Sequence, residues 1–186
     1  MIRTSSLAAI IAAAMTLGAA GMASAAPVMV GGAPMYAEKT IAENAPNAKN
    51  LTTLVAAVKA AGLVDTLASK GPFTVFAPTN KAFDKLPKGT VDTLLKPENK
   101  DKLTGVLTYH VVPGTYTSAT IMKDIKKMGG ELTLKTVEGA PLTFKMDGKK
   151  LVVIDETGKG AVIQKADVMQ KNGVVHVVGN VLMPKG

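Results

Sequence analysis

At Gly129-Gly130 the chain changes its period. Before that point apolar residues recur at helical spacing: Leu51, Leu54, Val55, Val58 and Ala61 share one face, with Asn50 as the expected N-cap and Gly62 just past the end. Shorter helices are expected over 63–69, 90–95, 97–107 and 120–128. Beyond Glu131 the alternation is strand-like. Leu132 and Leu134, then Leu142, Phe144 and Met146, each have polar neighbours, and Asp147-Gly148 signals a hairpin. Further strands fall at 151–154, 161–165 and 174–178. Helices first and strands later exclude an alternating parallel sheet and define an α+β fold.

One strand stands apart. In "GPFTVFAPTNKAF" (71–83) Phe73 and Phe76 belong to an apolar run that Pro78 ends, because proline lacks the N–H a ladder needs. Thr79 or Asn80 then caps a short helix whose Phe83 and Leu86 return to the core.

The N-terminus reads as a separate segment. Arg3, the apolar run 7–17 and Ala23-Ser24-Ala25 have the parts of a secretory signal, with cleavage expected after Ala25. Residues 26–39 contain Gly, Pro and Ala without periodicity, so a flexible lead is expected there, with a single domain over 40–186. After cleavage no apolar run is long enough to span a bilayer. With no cysteine there is no disulfide, thiolate metal site or lipidated cysteine, which fits a bacterial periplasmic or extracellular setting.

The formal charge is +8, and Arg3 is the only arginine. Lysine is a hydrated point charge and a poor bidentate reader of phosphates and base edges, so nucleic-acid recognition is not expected. The lysines are dispersed, with Lys126-Lys127 and Lys149-Lys150 as pairs. They form a solvated surface able to attract anionic polysaccharides or cell surfaces.

No catalytic constellation emerges. Beyond residue 25 the serines are Ser69 and Ser118, neither in a nucleophile turn. Asp155 and Glu156 are adjacent on a strand end and face opposite ways, as in a solvated turn. The methionines are scattered, and His110 and His176 lack the spacing of metal ligands. No metal and no cofactor are expected. Val174, His176 and Val178 share one strand face and Val175 and Val177 the other, which makes His176 a buried, hydrogen-bonded histidine in a sheet covered on both sides.

Three segments together carry a resemblance. "GPFTVFAPTNKAFDKLP" (71–87), "LTYHVVPG" (107–114) and "NGVVHVVGNVLMP" (172–184) are similar, in order, to the three signature segments of the fasciclin-like FAS1 domain family. The resemblance runs from about Thr40 to Pro184. It departs at Asn80 and Gly179, where the family often has acidic residues. It implies a wedge-like, twisted β-sandwich with helices packed around one end. Phe73, Phe76, Pro78, Thr79, Asn80 and His176 would be its architectural motif. The implied activity is a non-catalytic, secreted adhesion module, monomeric, contacting a cell-surface or matrix protein or an anionic polysaccharide. Tyr109 and His110, which match the family's Tyr-His motif, are the candidate interaction segment, with a structural role as the other reading. The alternative function is a periplasmic carrier or sensor of a small apolar molecule.

Overall fold

A computed structural model describes residues 26–185. The expected signal sequence, 1–25, lies outside the described residues. Structure begins earlier than Thr40. Strands β1 (Val28–Val30) and β2 (Ala33–Met35) pair through Gly31-Gly32, and Val30 and Met35 are buried in the core. The expectation of a flexible lead over 26–39 is therefore corrected. Gly31 and Gly32, at φ +58° and +81°, supply the two left-handed positions a two-residue hairpin loop requires.

Six helices follow in two groups. Helices α1 (Ile41–Asn44), α2 (Thr52–Ala61) and α3 (Val64–Ala68) precede strand β3 (Phe73–Pro78). After it come α4 (Asn80–Asp84), α5 (Thr90–Leu94) and α6 (Lys100–Tyr109). Gly62 ends α2 in the left-handed conformation, as the sequence suggests. Asn50 does not cap α2: its side chain makes no bond to the helix start. Asn80, from beyond β3, does so instead. Its Oδ1 accepts from the Thr53 N–H (3.1 Å), while Nδ2 donates to the Lys49 carbonyl (3.1 Å) and Thr52 Oγ1 (2.9 Å). Thr79 caps α4 by accepting from the Ala82 N–H.

The remaining elements are β4 (Val111–Pro113), α7 (Ser118–Lys127), β5 (Glu131–Lys135), β6 (Pro141–Asp147), β7 (Lys150–Ile154), β8 (Gly160–Gln170) and β9 (Gly173–Val178). The hairpin turn between β6 and β7 is formed by Gly148 and Lys149, since Asp147 still pairs with Lys150. Seven strands form one sheet in the order β4-β3-β9-β8-β7-β6-β5, with β3 and β9 parallel and the other pairs antiparallel. The sheet curls until its edges nearly meet. The Val137 N–H, just past β5, donates to the Val111 carbonyl of β4 (2.8 Å). Near-closure hides both edges, which would otherwise invite pairing with other chains.

Curling gives the sheet an inside and an outside, and side-chain alternation sorts residues between them. Phe76 and Val178 point inward with Val112, Phe144, Leu142 and Val153, and α7 closes that space with Ile121 and Ile125. Val75, Ala77, Val175 and Val177 point outward into a second core beneath α1–α6 and the β1–β2 hairpin. Strand β3 is flanked by β4 and β9 and covered on both faces, and its ladder stops at Pro78, which faces Val178. Among the described residues no helix is long and apolar enough to cross a membrane.

Candidate functional site

Tyr109 and His110 end α6, at the junction of the two cores. Neither reaches solvent, at 0% and 2% exposure. The Tyr109 hydroxyl donates to the Pro141 carbonyl (2.9 Å) and accepts from the Glu156 N–H (3.0 Å), tying α6 to β6 and to the turn after β7. Burial, with smaller pushes from the Glu156 and Asp155 carboxylates, raises the phenol pKa to about 12, so it stays protonated.

His110 Nδ1 faces the Val106 carbonyl at 2.7 Å, and the Leu182 N–H donates to Nε2 at 3.0 Å. Since a backbone N–H can only donate, the proton resides on Nδ1. Complete burial depresses the imidazole pKa to about 4, against weaker opposing effects from the Val106 hydrogen bond and Asp155. His176 holds the opposite tautomer. It accepts at Nδ1 from the Asp167 N–H (3.3 Å) and donates from Nε2 to the Tyr116 carbonyl (2.8 Å). Burial lowers its pKa too, with the Tyr116 contact and Asp167 opposing. Its ring stacks on Phe76, with centroids 5.5 Å apart. Both imidazoles thus use both nitrogens to join backbone segments distant in sequence.

The groups screened for chemistry are similarly engaged. Ser118 Oγ donates to an Asp167 carboxylate oxygen, and the other oxygen accepts from the Ser118 N–H (2.6 Å). Asp167 reaches the start of α7 because β8 is irregular there and the residue adopts φ +56°, a left-handed conformation that aspartate tolerates better than most residues. Asp155 is not the solvated turn residue expected: it is 4% exposed. Its Oδ1 accepts from the Thr157 and Lys159 N–H groups and the Thr157 hydroxyl, and Oδ2 accepts from the Met183 N–H (3.1 Å). Sequence reasoning missed this role because Met183 lies far along the chain. At the two departures from the family pattern, Asn80 caps α2, and Lys85 Nζ donates to the Gly179 carbonyl and Asn180 Oδ1, both at 2.7 Å. No group of three or more His, Cys, Asp or Glu side chains among the described residues is arranged to hold a metal.

A concavity also lies in the outer core. An apolar cavity of about 90 Å³ is lined by Leu54, Val55 and Val58 of α2, Leu67 of α3, Phe73 of β3 and Val111 of β4, among others. His110 forms part of its wall.

A curled seven-stranded sheet, plugged by one helix and covered by six, with its motif histidines committed to the backbone, defines the FAS1 fold. The model of the Fasciclin domain matches residues 49–184, and the chain belongs to that family. It is 51% identical over 145 residues to "Protein sll1483" of Synechocystis sp., covering 78% of this chain and 73% of the relative. It is 37% identical over 172 residues to "Immunogenic protein MPB70" of Mycobacterium bovis, covering 90% and 80%. Among solved structures, the FAS1 domain pair of the insect cell adhesion molecule Fasciclin I superposes with a TM-score of 0.70 at 19% identity. That match covers 78% of this chain and 51% of the other.

Proposed function

We propose that this chain is a secreted, non-catalytic binding module that makes contact at a cell surface or matrix through its lysine-bearing exterior. The supporting observation is how its charges are used. Lysine and arginine number 22 against 14 carboxylates, yet the ion pair found among the described residues is the exposed Lys96–Glu98 contact at 3.8 Å. Cations left without partners are available to an external polyanion, and dispersed lysines favour electrostatic attraction over shape-specific reading. The related fold in an insect cell adhesion molecule agrees with a contact role.

Tyr109 and His110 have a supporting part in this reading. Their side chains hold α6, β6 and the C-terminal segment in register, so a substitution there would reduce binding by loosening the fold. The contact itself falls to exposed lysines such as Lys126 and Lys127 at the end of α7. A second reading, a carrier of a small apolar molecule, draws its support from the cavity in the outer core.

The test is retention of the full chain on immobilised heparin as the polyanionic probe. Salt-dependent retention that falls in the Lys126→Glu/Lys127→Glu variant, at unchanged thermal stability, is expected. Passage without retention at low salt, or retention indifferent to salt, would overturn the lysine-surface reading.

A further inference from the structure

We infer that residues 181–185, beyond the last strand, form an acid-released strap. It lies closed across both cores at neutral pH and lets go, ahead of the rest of the fold, when the three side chains that hold it take up protons.

The grip is made of acceptors that acid disables. The Leu182 N–H donates to His110 Nε2 (3.0 Å), the Met183 N–H to Asp155 Oδ2 (3.1 Å) and the Lys185 N–H to Glu156 Oε2 (3.0 Å). Among the described residues these are the hydrogen bonds that tie 181–185 to the body, and no backbone carbonyl accepts from the segment. An imidazolium cannot accept, and a protonated carboxyl loses the charge that strengthens its bond.

The chain just before the strap is held differently. Strand β9 lies in backbone ladders with β3 and β8, and the Gly179 N–H donates to the Val162 carbonyl (3.1 Å). Asn180 is held by Lys85 Nζ (2.7 Å) and donates to the Gly160 carbonyl (2.6 Å). Added protons leave these bonds unchanged, so the hinge falls at Asn180. His176, the other buried imidazole, bonds between Asp167 and Tyr116 instead. Val181 packs in the outer core and Leu182 in the inner one, so one movement of the strap uncovers both.

The surroundings do not oppose release. Asp155 is the charge that acts on His110, and it favours the imidazolium. The Tyr109 hydroxyl, which accepts from the Glu156 N–H, stays neutral. The ion pair found among the described residues is Lys96–Glu98, so no lysine ammonium, Lys159 and Lys185 included, pairs with Asp155 or Glu156. In the closed strap, burial holds His110 at a pKa of about 4; once released, Nε2 meets water and the ordinary value of about 6.5 applies. Between these values the open form binds more protons, so opening becomes easier as pH falls. From pH 7 to 4.5 the open population should rise about 50-fold through His110 alone.

This device does not rest on the lysine-surface reading, which heparin retention tests separately. The experiment is amide hydrogen exchange of the full chain by NMR, from pH 7 to 4.5, expressed as protection relative to intrinsic rates. Protection of the Leu182 and Met183 amides should fall about 50-fold across that range. At every pH it should also lie at least about tenfold below that of the ladder amides of β7 and β9, since local opening precedes global unfolding. His110→Gln, whose side-chain oxygen accepts without titrating, should reduce the pH-dependent fall to less than about fivefold. Should that variant fail to fold, the strap-to-ladder comparison in the unmodified chain decides. Equal protection of strap and ladder amides, strap protection indifferent to pH, or a folded His110→Gln variant that keeps the full fall would overturn the assignment.

Discussion

Strand β3 separates two apolar cores, built from alternate residues of the same strands yet different in kind. Inside the curled sheet, Phe76 and Phe144 meet at 5.2 Å between ring centroids, and Leu142, Phe144, Val153 and Ala161 are fully shielded. Outside it, Val75 and Ala77 face helices whose side chains, aliphatic except for Phe83, leave a cavity. Seven strands and one plugging helix constrain the inner space from nearly every direction. The outer space is roofed by short helices and a two-stranded hairpin, joined by buried amides such as Asn172, which accepts from the Ile41 N–H and donates to the Leu67 and Ser69 carbonyls. Aromatic filling and closure suit architecture. An aliphatic roof over a void suits accommodation. The Tyr-His pair sits at the boundary, buried and hydrogen-bonded to backbone groups on both sides.

The largest expected effect breaks the comparison by equal truncation on the two sides. Leu142→Ala should cost about 4 kcal/mol, and Leu54→Ala, whose side chain already borders empty space and has fewer contacts to lose, about 2–3 kcal/mol. Chemical denaturation with a common m value measures both. Equal costs would remove the distinction.

Protonation probes the boundary next. The pKa of His110 is about 4 in the folded protein against an ordinary 6.5. Between these values the unfolded chain binds more protons, so stability is complete above about pH 6.5 and is lost as pH falls towards 4. His110 alone accounts for about 3 kcal/mol of that loss. His176, also lowered, adds in the same direction. The unfolding free energy measured from pH 7 to 4 should fall accordingly, and a flat profile would contradict burial of the neutral imidazoles.

Tyr109→Phe should cost about 1–2 kcal/mol, since the Pro141 carbonyl and Glu156 N–H lose their shared partner while the ring remains. Heparin retention of the folded variant should be unchanged, because the hydroxyl is not at the surface. The smallest effect is of opposite sign in the two cores. Val58→Ile extends into the outer cavity and should be neutral or stabilising by up to about 1 kcal/mol. Val153→Ile overpacks the inner core and should destabilise by about 1 kcal/mol or more.

How much of this was legible in the sequence follows the reach of each interaction. The α+β class, the strand ending at Pro78, the Gly62 stop and the two faces around His176 depend on residues within a few positions of one another, and all appear in the fold. The β1–β2 hairpin had a local signal that composition obscured: Gly31-Gly32 between Val30 and Ala33 is a two-residue turn sequence, masked by the surrounding Gly, Pro and Ala. Asn80 capping α2, Asp155 holding Met183 and Asp167 holding Ser118 had no local signal. Each partner lies 27 or more residues away, and only the fold brings them together. The cavity was equally hidden, because packing defects between helices leave no periodicity to read.

The contrast between the cores is tested most directly by methyl NMR under xenon pressure, since xenon enters dry apolar cavities and is excluded from close-packed interiors. The methyls of Leu54, Val55, Val58 and Leu67 should shift in a saturable way, while those of Leu142, Leu151 and Val153 stay fixed. Shifts among the inner-core methyls, or none in the outer core, would contradict the division of the molecule into a closed architectural core and an open, accommodating one.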